Sequence, residues 1–406
     1  MKDLLNPCNN QSGDHTISSV LIPDSLKEAI TSNRPVHGLT HNFYRYPARF
    51  NPEFVRQVIL NFTKPYDCVL DPFVGGGTTI VEAVALGRRA IGIDLNSLAY
   101  FISQVKTTPL SSNDIDSILR WVDDVLKPQR VTPSINIITK QSTLLNIPSD
   151  IAEFLTWASN LASSLRFPRQ QRFARCVVIR TGQLALDCKY KISGLDEVKM
   201  TFSRLVTSMI DGLDEFVKMA KSSNIPENKV TSMRQLYLGS AAGSVVDKIL
   251  SSISPKPTLV LTSPPYPQIH VLYNKWQILG RRETSAHYWF ATLKDGYSPS
   301  FYTMGPRSRT GQEKYFQNLF QAFSNLKRLV APKTILVQLV AFPDEESVRR
   351  RYLLTMTQAG FEPIDISESE MANITTRIVP NRKWYAYLHD RQYSSHEVLM
   401  IHRPVF

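Results

Sequence analysis

Residues 69–79 read VLDPFVGGGTT. The acidic side chain of Asp71 falls at the end of an apolar run, and Pro72 and Phe73 follow it. Gly75, Gly76 and Gly77 then form a turn without Cβ atoms, so a ligand can approach the backbone closely. The helix that opens at Thr78 presents free N–H groups to the same place. A ligand carrying a carboxylate and an ammonium suits this arrangement, the backbone taking the first and Asp71 the second. The glycine spacing matches neither the dinucleotide pattern GxGxxG nor the phosphate loop GxxxxGK[ST], for no Lys follows Gly77. Alone, the run reads equally well as a plain strand-to-helix turn. About 20 residues further on, IGIDLN (91–96) sets Asp94 at the end of a second apolar strand, where an acid accepts both hydroxyls of a ribose. A helix-capping Asp is the bland alternative. Taken together, the two segments describe a site for a nucleoside without a phosphate chain.

A third segment, LTSPPYPQIHVLY (261–273), places Ser263, Pro264, Pro265 and Tyr266 after another apolar strand. Two successive prolines stiffen the loop and turn the carbonyls of Ser263 and Pro264 outward, because Pro has no N–H to bond internally. An exocyclic amine is a double donor. The Ser263 hydroxyl and the Pro264 carbonyl are acceptors placed to hold it, and Tyr266 offers a flat surface for an extruded base. An amine held in this way aims its lone pair at an electrophilic methyl, so catalysis would be mostly proximity and orientation.

The elements that must carry these residues alternate. PEFVRQVILNFTK has helical spacing with Pro52 at its start. CVLDPF is a strand, TTIVEAVALG a helix closed by Gly87, RRAIGIDLN a strand, and NSLAYFISQVK a helix capped by Asn96 or Ser97. RQLYLGSA, PTLVLTSPPY, KTILVQLVAF, EPIDIS and EVLMIHR read as later strands of the same sheet, and 312–330 as a helix before the third of these. This is an α/β fold with a doubly wound, mostly parallel sheet. Helical stretches around 113–126, 149–166 and 199–221 interrupt the rhythm between the second and third strands. The expected domains are an arm over 1–40, a catalytic domain over 41–110 and 231–406, and a largely helical, target-recognising insertion over 111–230.

The motif pair resembles that of the S-adenosylmethionine-dependent DNA amino-methyltransferases, whose cofactor motif DPFxGxGTT and catalytic motif match DPFVGGGTT and TSPPY. HNFYRYPARFNPEFV, upstream, is similar to the segment that closes over the methionine end of the cofactor. The resemblance covers residues 41–106 and 232–406 and implies a Rossmann-like methyltransferase fold. It implies cofactor contacts from Asp71, Pro72, Phe73, Gly75, Gly77, Thr78 and Asp94, with Tyr46, Pro47, Ala48 and Arg49 beside them. Ser263, Pro264, Pro265 and Tyr266 would hold the target amine and base. Ser240 stands where relatives often carry an acid for the adenine amine, so no adenine partner is assigned. SPPY is more typical of cytosine-N4 enzymes and DPPY or NPPY of adenine-N6 enzymes, which favours N4 of cytosine in duplex DNA and leaves adenine-N6 as the alternative, with RNA third. Cytosine-C5 chemistry needs a Cys after Pro, and the sole Pro7-Cys8 pair lies in the arm. A non-catalytic DNA-binding subunit on this fold is the reading from another class, disfavoured because both motifs are intact.

The rest of the chain agrees with a nucleic-acid partner. Lys plus Arg number 47 against 35 acids, a net charge of +12, suited to a polyanion. RFPRQQRFARCVVIR (166–180) holds Arg166, Arg169, Arg172, Arg175 and Arg180 without an acid between them, and is expected to touch DNA. A loop at 305–314 with Arg307 and Arg309 is expected over the cleft. RRET (281–284) and the basic-aromatic stretch 377–385 are further candidates. Tyr273 and Trp276 read equally as pocket or core. A cognate restriction endonuclease is a possible partner. No His/Cys cluster has metal spacing, and no stretch reads as a signal peptide or membrane span, so a cytoplasmic protein without metal is expected.

Overall fold

The computed structural model describes residues 19–20, 22–32, 34–127, 144, 146–188, 190–268, 271–280, 282–294, 298–306, 308–342, 345–366, 376–378 and 396–406. Helix α1 (Asp24–Thr31) precedes α2 (Pro52–Phe62), which starts as its sequence requires: Pro52 occupies the first turn and the Asn51 side chain accepts the Glu53 N–H. Strand β1 (Cys68–Asp71), helix α3 (Thr78–Ala85), strand β2 (Arg89–Asp94) and helix α4 (Ser97–Lys106) follow. Gly87, at φ +79°, ends α3, and the Asn96 side chain caps α4.

Four long helices then intervene: α5 (Ser112–Leu126), α6 (Ser149–Ala162), α7 (Pro168–Leu186) and α8 (Leu195–Ser222). The chain returns to the sheet with β3 (Arg234–Leu238), α9 (Val245–Leu250) and β4 (Leu259–Thr262), then α10 (Ala286–Ala291), α11 (Arg309–Leu329), β5 (Ile335–Ala341), α12 (Glu345–Gln358), β6 (Phe361–Pro363), β7 (Thr376–Ile378) and β8 (His396–Pro404).

The main sheet has the order β7-β8-β5-β4-β1-β2-β3, with β6 pairing β8 beside this path. The strands from β3 to β5 are parallel, while β8 runs antiparallel to β5, Glu397 lying opposite Ala341. The chain order reverses between β1 and β4. In an open α/β sheet, the crevice beyond the strands' carboxyl ends at such a reversal is the ligand site.

Burial divides into three clusters. Two flank the sheet, and their strands are apolar on both faces, as a parallel sheet covered by helices must be. The third joins the four inserted helices to Phe43, Tyr44, Tyr46, α4, Trp276 and α10. The inserted helices therefore share a core with the segment just before α2.

Three readings change. The 1–40 arm contains α1, whose Leu26, Ala29 and Ile30 are buried in the sheet-side core. In EPIDIS, only the first residues extend the sheet, because Asp365–Ile366 pair with Ser19–Val20 in a separate ribbon. Helix α7 is an element that the sequence pattern does not announce: its apolar positions 173, 174, 177, 178 and 185 are buried, but the interleaved Arg residues conceal the period.

Candidate active-site cleft

A cleft opens at the reversal point, lined from the carboxyl ends of β1, β2, β3 and β4 and from residues 46–50. The loop after β1 is locked before any ligand arrives. Val74 N–H bonds Ile93 O at 3.1 Å, and Gly75 N–H bonds Asp94 Oδ2 at 2.8 Å. Gly75 and Gly77 hold φ of +50° and +77°, the left-handed region that glycine tolerates.

The glycines also serve a purpose beyond ligand approach. A Cβ on Gly76 would sit 3.2 Å from Tyr46 Cβ, and one on Gly77 would sit 2.7 Å from Ser103 Oγ. The run therefore lets residues 46–49 and α4 pack directly onto the loop. Behind it, buried Lys106 donates to Gly76 O (2.7 Å) and His41 O (3.2 Å), tying the glycine loop to the segment before α2. Burial, with Arg49 and Arg180 nearby, pushes the Lys106 ammonium down to about 7.

Of the expected cofactor residues, Tyr46, Pro47, Ala48, Arg49, Pro72, Phe73, Gly75 and Asp94 line the cleft. Ala48 adopts φ +52°, unusual for a residue with a Cβ. The Asp94 carboxylate accepts Gly75 N–H on Oδ2 and Asn96 N–H on Oδ1, 2.8 Å each. Each oxygen keeps capacity for one more donor. Burial raises the Asp94 carboxyl to about 6, opposed by those two backbone bonds.

Asp71 is a correction. It is 1% exposed and outside the cleft lining. Its Oδ1 accepts the N–H of Phe73 (3.0 Å) and the hydroxyl of Thr262 (2.8 Å). A short acid at a strand end bends back onto the N–H two residues on, so here it ties β1 to β4 and does not face a ligand ammonium. Burial raises this carboxyl to about 6 as well. Gly77 and Thr78 are likewise not part of the lining.

The opposite wall comes from Ser263, Pro265, Tyr273 and Tyr302, with Gly239, Ser240 and Ala241 after β3. Ser263 Oγ is 2.9 Å from Leu339 O and 3.3 Å from the Tyr266 hydroxyl. The prolines are divided: Pro264 is buried, and the Pro265 carbonyl already accepts the Tyr315 hydroxyl at 2.8 Å. Tyr266 is a second correction. It is 5% exposed, off the lining, and its hydroxyl donates to Glu397 Oε1 at 2.5 Å. A large ring beside an apolar helix face sinks into the core once its hydroxyl finds a partner there.

Tyr273 takes the open position instead, stacked on Tyr46 with centroids 5.6 Å apart and planes at 24°. Tyr46 is fixed in turn by Asn96 Nδ2 at 3.0 Å, and Asn96 Oδ1 accepts the Tyr288 hydroxyl at 2.7 Å. Trp276 is core, 1% exposed and bonded through Nε1 to Tyr44. Asn96, Tyr302, Lys106 and Glu397 do not stand out in the sequence as site residues, since only the fold brings them here.

Most of the Arg run lies on α7, where a spacing of three sets Arg169, Arg172 and Arg175 along one slowly turning stripe, with Arg166 in the bend just before the helix. Arg166 and Arg169 flank the Phe167 ring at 5.2 and 4.5 Å, and Arg169 pairs with buried Asp114 at 2.7 Å. Among the described residues no carboxylate lies within ion-pair distance of Arg172, Arg175 or Arg180. Burial lowers all three. Arg180 interacts with Arg45 and Arg49, and Gln183 of α7 bonds both the N–H and the C=O of Arg45 at 2.9 Å. Helix α7 thus abuts the cleft wall. Arg309 begins α11 and is exposed. Arg307 and residues 379–385 lie outside the described residues, and Arg282–Thr284 pairs with Trp276–Ile278 away from the lining.

Among the described residues no helix is long and apolar enough to cross a membrane, and no group of three His, Cys, Asp or Glu is placed to hold a metal ion.

Residues 11–104 match the family described as DNA methylase of the N6/N4 class. The chain is 33% identical over 103 residues to the type II methyltransferase M.MvaI of Kocuria varians, covering 23% of each chain. It is 29% identical over 125 residues to the type II methyltransferase M.BsoBI of Geobacillus stearothermophilus, covering 30% of this chain and 24% of that one. It is also 39% identical over 62 residues to the DNA adenine methyltransferase YhdJ of Escherichia coli, covering 15% and 21%. Each match thus spans less than a quarter of the relative's length. The likeness to the N6/N4 DNA methylases takes in the DPFVGGGTT segment and the chain on either side of it within residues 11–104.

Proposed function

We propose that this protein transfers a methyl group from S-adenosylmethionine to an exocyclic amine of a base in duplex DNA, with N4 of cytosine the preferred target. The observation that carries the reading is the junction of two sites in one cleft. Asp94 and Arg49 line one side, and Ser263 lines the other.

The donor set fits the cofactor. Asp94 has acceptor capacity left for two ribose hydroxyls, Arg49 is a cation suited to a carboxylate, and Tyr46 and Phe73 offer aromatic surface. Asp71 no longer serves as the partner for the ammonium, so that contact is left to other groups of the lining. S-adenosylmethionine supplies, when bound, a methyl group made electrophilic by its sulfonium. Ser263 Oγ holds one amine hydrogen and orients the nitrogen, while Tyr273 gives the base a surface. This work is positioning, worth several powers of ten in rate when the geometry is good.

DNA as the substrate is supported by Arg172, Arg175 and Arg180 of α7, which among the described residues have no carboxylate within ion-pair distance, and by the contact of α7 with the cleft wall through Gln183. Desolvated cations of this kind favour phosphate. The preference for cytosine rests on Ser263, which stands where adenine enzymes usually place Asp or Asn. The likeness to an adenine methyltransferase keeps N6 of adenine as the second reading. A cognate endonuclease is proposed as a genetic partner only through the likeness to type II enzymes.

The test is transfer of a labelled methyl group to mixed-sequence duplex DNA, followed by nucleoside digestion and mass spectrometry. Labelled N4-methylcytosine is the expected product. N6-methyladenine would correct the base, and label appearing only in RNA would overturn the DNA reading.

A further inference from the structure

We infer that Glu397, on the last strand of the sheet, fixes the direction of a hydrogen-bond chain ending on Ser263 and so is a positioning residue for the amine-holding site; this rests on the amine-methylation reading above. The chain is short. Glu397 lies opposite Ala341 in the β8–β5 register, at the carboxyl end of β5. Its Oε1 accepts the Tyr266 hydroxyl at 2.5 Å. That hydroxyl lies 3.3 Å from Ser263 Oγ, which is also 2.9 Å from Leu339 O on β5.

The direction follows from counting hydrogens. A carboxylate only accepts, and a phenol has one hydrogen to give. Burial and the Glu397 charge keep the Tyr266 phenol well above its ordinary titration range, so it remains a donor. With that hydrogen committed to Glu397, Tyr266 has only lone pairs to turn toward Ser263. The single Ser263 hydrogen then goes to Leu339 O or to Tyr266, both of them acceptors. Either way the Ser263 lone pairs stay open to an amine, which brings only donors. Without Glu397, the Tyr266 hydrogen can turn to Ser263 Oγ, 3.3 Å away, and compete with the amine for one of its two lone pairs.

Four variants test this: Glu397→Gln, Glu397→Ala, Tyr266→Phe, and the pair Glu397→Ala with Tyr266→Phe. Glu397→Ala is expected to lower kcat about tenfold, the size of one misdirected hydrogen bond, with the Kd for cofactor unchanged. Glu397→Gln keeps an acceptor oxygen and loses less. Tyr266→Phe, which has no hydrogen to misdirect, loses less than Glu397→Ala. The double variant recovers to the Tyr266→Phe level, because the hydrogen that interferes is gone. Losses that simply multiply in the double variant would overturn the inference, as would full activity in Glu397→Ala.

A measurement independent of turnover accompanies these. In protein labelled at tyrosine Cζ with carbon-13, the Tyr266 resonance, identified by its loss in Tyr266→Phe, is expected to shift in Glu397→Gln. An unmoved resonance would show that the bond does not exist and would overturn the inference even if methyl transfer were absent. A wild-type protein inactive on every nucleic acid would instead sink the amine-methylation reading.

Discussion

At the scale of single residues, two acids in one loop system have opposite fates. Asp71 and Asp94 both end strands, and both bond the N–H two residues on. Thr262 covers Asp71, whereas Asp94 keeps a side open to the cleft. Burial holds Asp94 at about 6, and ribose hydroxyls need its ionised, accepting form. Cofactor affinity is therefore expected to be full above about pH 6 and to fall as the pH drops through that value, by up to about tenfold per unit. Calorimetric titration between about pH 7.5 and about pH 5 checks this, and Asp94→Asn should bind weakly with a flat profile. Ser263→Ala is expected to lower methyl transfer by at least about tenfold while leaving the cofactor Kd within about threefold, since it removes one hydrogen-bond acceptor from the amine alone. Unchanged turnover in that variant would remove Ser263 from the chemistry.

At the scale of elements, the glycine turn and the segment before α2 depend on one another. Gly77 combines a left-handed φ with a site 2.7 Å from Ser103 Oγ. Gly77→Ala is thus expected to cost about 1–3 kcal/mol in chemical denaturation, with partial relief when Ser103→Ala is added. An unchanged denaturation midpoint would mean that α4 yields easily. The βα rhythm that frames this turn was legible because each strand is a short apolar run followed by a capped helix. Helix α7 was not, because its buried face includes Cys176, Thr181 and Gly182 among the cations. Its Gly182 is required by the Trp276 ring, which a Cβ would meet at 2.8 Å. No local pattern announces such a neighbour.

At the scale of the molecule, the inserted helices are continuous with the cleft through the shared core and through Gln183. That continuity sorts the Arg stripe. Arg169 is tied to Asp114, which is 1% exposed, so Arg169→Gln is expected to lower stability more than DNA affinity, leaving a buried carboxylate short of its cation. Arg166→Gln together with Arg172→Gln is expected to weaken DNA binding and to reduce the slope of log K against log salt by about 0.9 for each phosphate that is no longer neutralised. An unchanged slope would take α7 out of the interface.

The sequence alone determined the alternating sheet, the cofactor-type turn, the placement of Ser263 at a strand end, and the kinship these imply. Each is written in contiguous residues whose spacing is set by local backbone geometry. Only the tertiary structure decided which side chains face the cleft. Asp71 and Tyr266 turned inward because partners 191 and 131 residues away, Thr262 and Glu397, satisfy them there. Tyr273 was left facing outward because Tyr46 supplies its stacking partner. Burial and hydrogen-bond satisfaction are properties of neighbours in space, and no spacing along the chain encodes them.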